Sequence, residues 1–349
     1  MYKIAKRFYD SMKNLLRYII TRLILTIPMV FILLSIVFVV LRVMPGDPVS
    51  SMLGGHAPES VIEQKKEEMG LNRPIVIQYF DYLWQVCRLE LGDSMVLKQK
   101  VTTAIMEKLP ATIELTFCGI LLTLFMGVFM GAYAADRRRK AQDYIIRLYG
   151  IVVYCIPVYW MGLMLQLIFG IWLDIMPIAG RTGPRVFAST FEKTGLYVID
   201  TILVRDFSAL GDVLFHLVLP SFTLGLVLSG IFVRLTRANM LDVLKADYIT
   251  AAEARGIKHR KIVYRHALKN AFIPILTMMG LQIALLMAGA VLTETTFSWP
   301  GMGRLLLERI YLRDYPVIQG VIIVIALVVA TASLIVDIIY AIVDPRVRY

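Results

Sequence analysis

Six stretches of this 349-residue chain contain no Asp, Glu, Lys or Arg: Leu23 to Leu41, Leu115 to Ala135, Leu148 to Leu173, Val213 to Val233, Ala271 to Thr293 and Tyr315 to Val336. A helix that crosses a hydrocarbon layer of about 30 Å at about 1.5 Å per residue needs about 20 such residues. Inside lipid the backbone must satisfy its own polar groups, so runs of this length read as membrane helices. The expected fold is therefore all-α and polytopic, with six transmembrane helices over 18–43, 109–135, 144–173, 213–235, 271–296 and 315–343. The first run exceeds the apolar core of a signal peptide, about 7–15 residues, and Val43-Met44-Pro45 offers no small-residue cleavage site. It is read as a retained helix.

Charge placement gives the orientation. The chain is 58% hydrophobic and 18% charged, with formal net charge +11. A basic chain can bind nucleic acid, but cytoplasmic loops of membrane proteins also concentrate Lys and Arg. Six spans divide the connecting segments between two sides. One side (1–17, 136–143, 236–271, 344–349) carries 19 Lys and Arg in 67 residues, and the other carries 14 in 122. The basic side is expected to be cytoplasmic, with both termini there and 1–17 as an N-terminal cytoplasmic segment. The run Arg137-Arg138-Arg139-Lys140 then marks a membrane surface, and no nucleic-acid partner is expected; the partner surface is the lipid bilayer.

Nothing in the sequence points to an enzyme. It holds no Gly-x-x-x-x-Gly-Lys-Ser/Thr phosphate loop, no Gly-x-Ser-x-Gly and no His-Glu-x-x-His. Cys87, Cys118 and Cys155, with His56, His216, His259 and His266, are scattered without metal-ligand spacing, so no metal and no cofactor is expected on this chain. A secondary carrier places ionisable groups within the bilayer. Here Arg22, Glu114, Asp174, Arg234, Glu294 and Asp337 all sit near span ends, where anchoring at the interface is their expected role, with Glu294 the exception of most interest. Pro28, Pro157 and Pro220 are candidate kinks, and glycines such as Gly127 and Gly131 are expected to serve helix packing.

Two connections are long. Segment 44–108 combines Pro-Gly-Asp-Pro turn chemistry at Pro45 to Pro48 with an amphipathic stretch, Val76 to Leu91, whose Ile77, Phe80, Leu83, Trp84 and Cys87 share one stripe; a small extracytoplasmic subdomain is expected. The cytoplasmic loop 236–270 reads as a helix from Asn239 to Arg255, a left-handed stop at Gly256, and a second helix from His259 to Leu268. By spacing alone this elbow is either a basic loop held at anionic headgroups or an element that docks a partner.

The motifs Met44-Pro45-Gly46-Asp47-Pro48, Gly70-Leu71-Asn72-Arg73-Pro74, Leu109-Pro110-Ala111-Thr112-Ile113-Glu114-Leu115-Thr116, Phe297-Ser298-Trp299-Pro300-Gly301-Met302-Gly303, and Asp314-Tyr315-Pro316 through Asp344-Pro345-Arg346 are collinear along the chain. In them the chain resembles the integral-membrane permeases of binding-protein-dependent ABC importers, nearest the B-type permease of the dipeptide, oligopeptide and nickel family. The resemblance implies the type I importer permease fold, with 109–349 as the permease core. It also implies partners: a second homologous permease, two ABC ATPase subunits that carry ATP and Mg, and an extracytoplasmic solute-binding protein. The implied cargo is di- or oligopeptides, with a nickel chelate or another small solute as the alternative; an ion-coupled secondary carrier is the alternative of another class.

The same resemblance makes 236–270 the coupling loop. The family pattern Glu-Ala-Ala, three residues, Gly, nine residues, Ile-x-Leu-Pro is met at Ala251, Ala252, Gly256 and Leu268, while Thr250, His266 and Lys269 replace the Glu, the Ile and the Pro. Asp247, Tyr248, Thr250, Ala251, Ala252, Glu253, Arg255, Gly256 and Leu268 are thus the implied ATPase-coupling residues. Glu294, Trp299, Pro300 and Gly301 are the implied contacts to an outer gate or to the binding protein.

Overall fold

The computed structural model describes residues 2–43, 49, 57–68, 70–94, 96–184, 186 and 193–343. The turn expected at Pro45 to Pro48 and the terminal Asp344-Pro345-Arg346 lie outside them.

Helix α1 is Tyr2–Val43, α2 is Glu59–Glu68 and α3 is Ile75–Cys87. A two-residue antiparallel pair, β1 (Asp93–Ser94) with β2 (Gln99–Lys100), leads into α4, Val101–Asp136. This pair is a small departure from the all-α expectation. Helix α5 is Ala141–Cys155 and α6 is Val158–Trp172, whose last seven residues widen into π geometry. Then come α7 (Tyr197–Val204), α8 (Phe207–Val243), α9 (Asp247–Ala254), α10 (His259–Thr296, with a π-helical segment Ile262–Ala267), α11 (Met302–Tyr311) and α12 (Tyr315–Val343).

Among the described residues, five helices are long and apolar enough to cross a membrane, α1 over Ile19–Val40 and then α4, α8, α10 and α12. The sixth apolar run, expected over 144–173 with a candidate kink at Pro157, is broken there rather than merely kinked. It is the pair α5 and α6, bent by 105°. Pro157 is the cause: it has no N–H to donate, and its ring drives Ile156 to an extended backbone, φ −85° and ψ 127°. Pro28 and Pro220, expected as kinks, lie inside helices that continue past them. Helices also outrun the apolar stretches, most clearly α1, which begins at Tyr2 rather than at the expected 18, and α10, which begins at His259 rather than at 271; α4 begins at Val101 rather than at 109.

Helix α8 is the axis of the bundle, with 78% of its most apolar window buried, against 17% for α1. It packs along α4 so closely that side chains on the facing stripe must be absent. A Cβ on Gly127 would strike Phe232, and one on Gly131 would meet Thr236 Cβ at 2.6 Å. The two glycines are therefore a packing seam within one chain, as their spacing predicts. Helix α1 sits at the periphery, against α12 and α3.

Candidate functional site

The two ends of the bundle are built differently. At the end that carries segment 44–108, two buried carboxylates hold short helices by their N-termini. Glu294, near the end of α10, is fully buried. Its Oε1 accepts from Thr112 Oγ1 at 2.6 Å, and its Oε2 accepts from the backbone N–H of Gly303 at 2.7 Å and of Arg304 at 3.0 Å. Those amides belong to the first turn of α11, so Glu294 caps a helix from a distance and meets its positive dipole end. Thr112 Oγ1 in turn accepts from Met302 N–H at 2.8 Å.

Glu114, two residues further along α4, does the same for α7. Its Oε1 accepts from Val198 N–H at 2.8 Å, and its Oε2 receives Arg181 through Nη2 at 2.6 Å and Nε at 3.0 Å. Arg181 also donates to Gly195 O at 2.9 Å and lies over the Tyr197 ring, 3.5 Å from its centroid. Both members of the ion pair are buried. A buried charge is stable only when its remaining hydrogen-bonding positions are filled, and here the backbone of α7 and Gly195 fill them. Trp299, fully buried, donates Nε1–H to Ala111 O at 2.9 Å, and Phe297 O accepts from Gly180 N–H at 3.0 Å. The segments after α6 and after α10 are thereby tied to α4.

These contacts change what several residues are for. Glu114 and Glu294 are interior struts, not interfacial anchors. The side chains of Glu294 and Trp299 are enclosed within the chain, and Gly301 is buried against the Glu294 carboxylate; none of the three offers a surface to a docked protein. Pro300 alone of that group is partly exposed. Arg181, Thr112 and Asp200, which accepts from Thr194 and Gly195 N–H, are structural residues that the sequence reading misses. Glu114 carries a signal, an acid immediately before an uncharged run; Arg181 carries none. Arg22 and Asp337 are paired with each other at 3.4 Å.

The opposite end carries the elbow. The single helix expected from Asn239 to Arg255 is two: α8 stops at Val243, Leu244 to Ala246 turn, and α9 begins at Asp247, an acid in its first turn. Its stop is a Schellman motif. Gly256 is left-handed at φ +72°, Gly256 N–H donates to Glu253 O at 2.9 Å, and Ile257 N–H donates to Ala252 O at 3.2 Å. Ile249 and Ala252 turn inward onto Met240, Ile262, Val263 and Ala271, together with Ala132 and Ala135 of α4. Asp247, Tyr248, Thr250, Ala251, Glu253, Arg255 and Gly256 are exposed.

Of the implied coupling set, Ala252 faces the interior and Leu268 is only partly exposed. Ala252 is a core residue, because its small side chain lets α9 lie flat on α10. Leu268 is half-buried in the core and belongs to the rod of α10. The elbow is braced at three points: Tyr248 Oη accepts from Asn270 Nδ2 at 2.7 Å, His259 Nε2 lies 2.6 Å from Asp136 Oδ1, and Arg237 makes a two-pronged contact with buried Asp143 at 2.6 and 2.8 Å. An eight-residue helix thus joins two long rods, with one face buried and the other exposed.

An apolar helical bundle, closed at one end by internally capped helices and carrying at the other an exposed elbow between two spans, is the build of a membrane permease subunit. The chain belongs to the family of binding-protein-dependent transport system inner membrane components, the permeases of ABC importers. Residues 127–349 match that family, and residues 15–116 match its N-terminal region. The chain is 39% identical to the dipeptide transport system permease protein DppB of Alkalihalophilus pseudofirmus over 96% of its own length and 100% of the relative's. It is 36% identical to the DppB of Escherichia coli K12, covering 96% of this chain and 99% of that one. Against the glutathione transport system permease protein GsiC of Pectobacterium atrosepticum it is 33% identical over 96% and 100%.

Proposed function

We propose that this chain imports di- and oligopeptides as one of two homologous permeases that line a shared path, with ATP and Mg bound by two cytoplasmic ATPase subunits and peptide delivered by an extracytoplasmic binding protein. Near-full-length similarity to dipeptide and di/tripeptide permeases supports the cargo. The basic bias of 1–17, 136–143 and 236–271 supports cytoplasmic termini and a cytoplasmic elbow.

The observation that carries the mechanism is the elbow's geometry. Closure of an ATPase dimer moves the permeases between inward-open and outward-open states only through an element that binds both partners and resists bending. Helix α9 presents Asp247, Thr250, Ala251 and Glu253 on its free side, with Arg255 just past its end, while Ile249 and Ala252 fasten it to α10. A groove that accepts Ala251 and pairs with the flanking charges would seat it in one register. At the other end, Pro300 and the surface of α11 are the docking candidates, held in place from inside by Glu294 and Trp299.

The test is uptake of labelled di- to pentapeptides into vesicles containing this chain with its partner subunits. Uptake that requires both ATP and binding protein is expected. Uptake by this chain alone on an ion gradient would overturn the reading in favour of a coupled carrier. Competition by glutathione, prompted by the 33% relative, or by a nickel chelate would shift the cargo within the same machinery.

A further inference from the structure

Helix α3 has three faces, and only two are accounted for. At about 100° per residue, Tyr79, Tyr82, Leu83 and Val86 share one arc and pack on Leu34 and Phe38 of α1 and Ile323 of α12. Gln78, Asp81 and Gln85 share a second arc and line an open cavity of about 320 Å3. The third arc holds Val76, Ile77, Phe80, Trp84 and Cys87. It contains no charge, and it is bare: Val76 and Trp84 are each 61% exposed and Phe80 63%.

The depth of α3 says what covers that arc. Tyr79 lies between Phe31 and Phe38 of α1, with ring centroids 6.2 and 5.2 Å away, and its hydroxyl is hydrogen-bonded to Ser35 Oγ. The apolar stretch of α1 ends at Val40. Ser35 and Phe31 are about 8 and about 14 Å below that end along the helix, within the adjoining half of a layer about 30 Å thick. The neighbouring surface of α1 is itself bare and apolar, with Ile27 69% and Ile32 58% exposed, so the arc on α3 continues a lipid-facing surface. Arg88 closes the helix with its guanidinium 4.5 Å from the Trp84 ring, the pairing of an amphipathic ring and a basic group found where chain meets headgroups.

We infer that α3 is embedded in the bilayer leaflet that adjoins segment 44–108, with Val76, Ile77, Phe80 and Trp84 among acyl chains and Gln78, Asp81 and Gln85 turned to the aqueous cavity. The segment is then not a purely extramembrane subdomain: it wedges against α1 and α12 from within the lipid. Which leaflet this is, outer or inner, follows the orientation proposed above; the embedding itself rests only on depth and exposure.

The test uses the assembled importer in phosphatidylethanolamine and phosphatidylglycerol vesicles. Cys87, Cys118 and Cys155 are replaced by Ala, and spin labels are attached at Phe80→Cys, Trp84→Cys or Gln85→Cys in variants that keep uptake. Labels at 80 and 84 are expected to collide with oxygen several-fold more than with a water-soluble nickel chelate, with the reverse preference at 85. A chelate preference at 80 and 84 like that at 85 would overturn the inference in favour of water. Low collision with both reagents would overturn it in favour of a protein partner. In the unlabelled chain, brominated acyl chains are expected to quench a fluorescence component that Trp84→Phe removes; quenching unaltered by that substitution would count against it.

Discussion

The capped end and the elbow end of this bundle use the same kinds of residue to opposite purposes. At the capped end, Glu114, Glu294, Arg181 and Thr112 spend their hydrogen bonds on one another and on the first turns of α7 and α11. At the elbow end, Asp247, Glu253 and Arg255 are exposed and the backbone is stopped by a glycine with open space around it. Burial makes a polar group a fixed strut because an unmade bond there is expensive, whereas exposure leaves it free to be read by another chain. Within one permease, then, an acid beside an apolar run is no guide to partner contact; its surroundings decide.

Substitutions can break this contrast. The largest effect is expected for Glu294→Ala, which strips acceptors from Thr112 and from two α11 amides and should cost about 3–5 kcal/mol. Its thermal midpoint in detergent should fall well below that of Glu294→Gln, which keeps one acceptor; equal midpoints would mean the carboxylate is not the strut described. Arg181→Ala leaves Glu114 buried without its cation, and a loss of about 3 kcal/mol is expected, partly recovered in the Glu114→Gln/Arg181→Ala double variant. Absence of that recovery would separate the two residues energetically.

At the elbow the expected damage is functional. Gly256→Val forces a β-branched residue into φ +72° and costs about 1–2 kcal/mol. Insertion and expression should persist while ATP-dependent uptake is lost, and normal uptake would remove the elbow from the coupling account. The smallest effect belongs to His259→Gln. The His259–Asp136 contact is exposed on the histidine side, so stability should change by less than about 1 kcal/mol. A larger loss would show that the brace between the elbow and α4 is stiffer than its exposure implies.

Much of this architecture is legible in the sequence, for identifiable reasons. The apolar runs mark α1, α4, α8, α10 and α12 because a lipid layer imposes length and composition directly on sequence. Gly256 is legible because its left-handed backbone favours that residue. The 105° break at Pro157 is only half legible, since a proline in a membrane helix can break it or lie inside one that continues past it, as Pro28 and Pro220 do. The apolar stripe of α3 is visible as a pattern, but its neighbour is not. Periodicity shows that a face is apolar, and it does not distinguish lipid from protein.

By itself, then, the sequence determined the solvent and the number of apolar runs, written in stretches of about 20 consecutive residues, the elbow's stop, written in one glycine, and the family, written in short motifs in fixed order along the chain. Only the tertiary structure decided that Glu294 caps α11, that Glu114 meets Arg181, that Ala252 faces inward beside an exposed Ala251, and that α3 lies beside Ser35 of α1. Most of those partners are far apart along the chain, and Ala251 and Ala252 differ by a single step around a helix. Their placement depends on how the long rods pack, which no local window records.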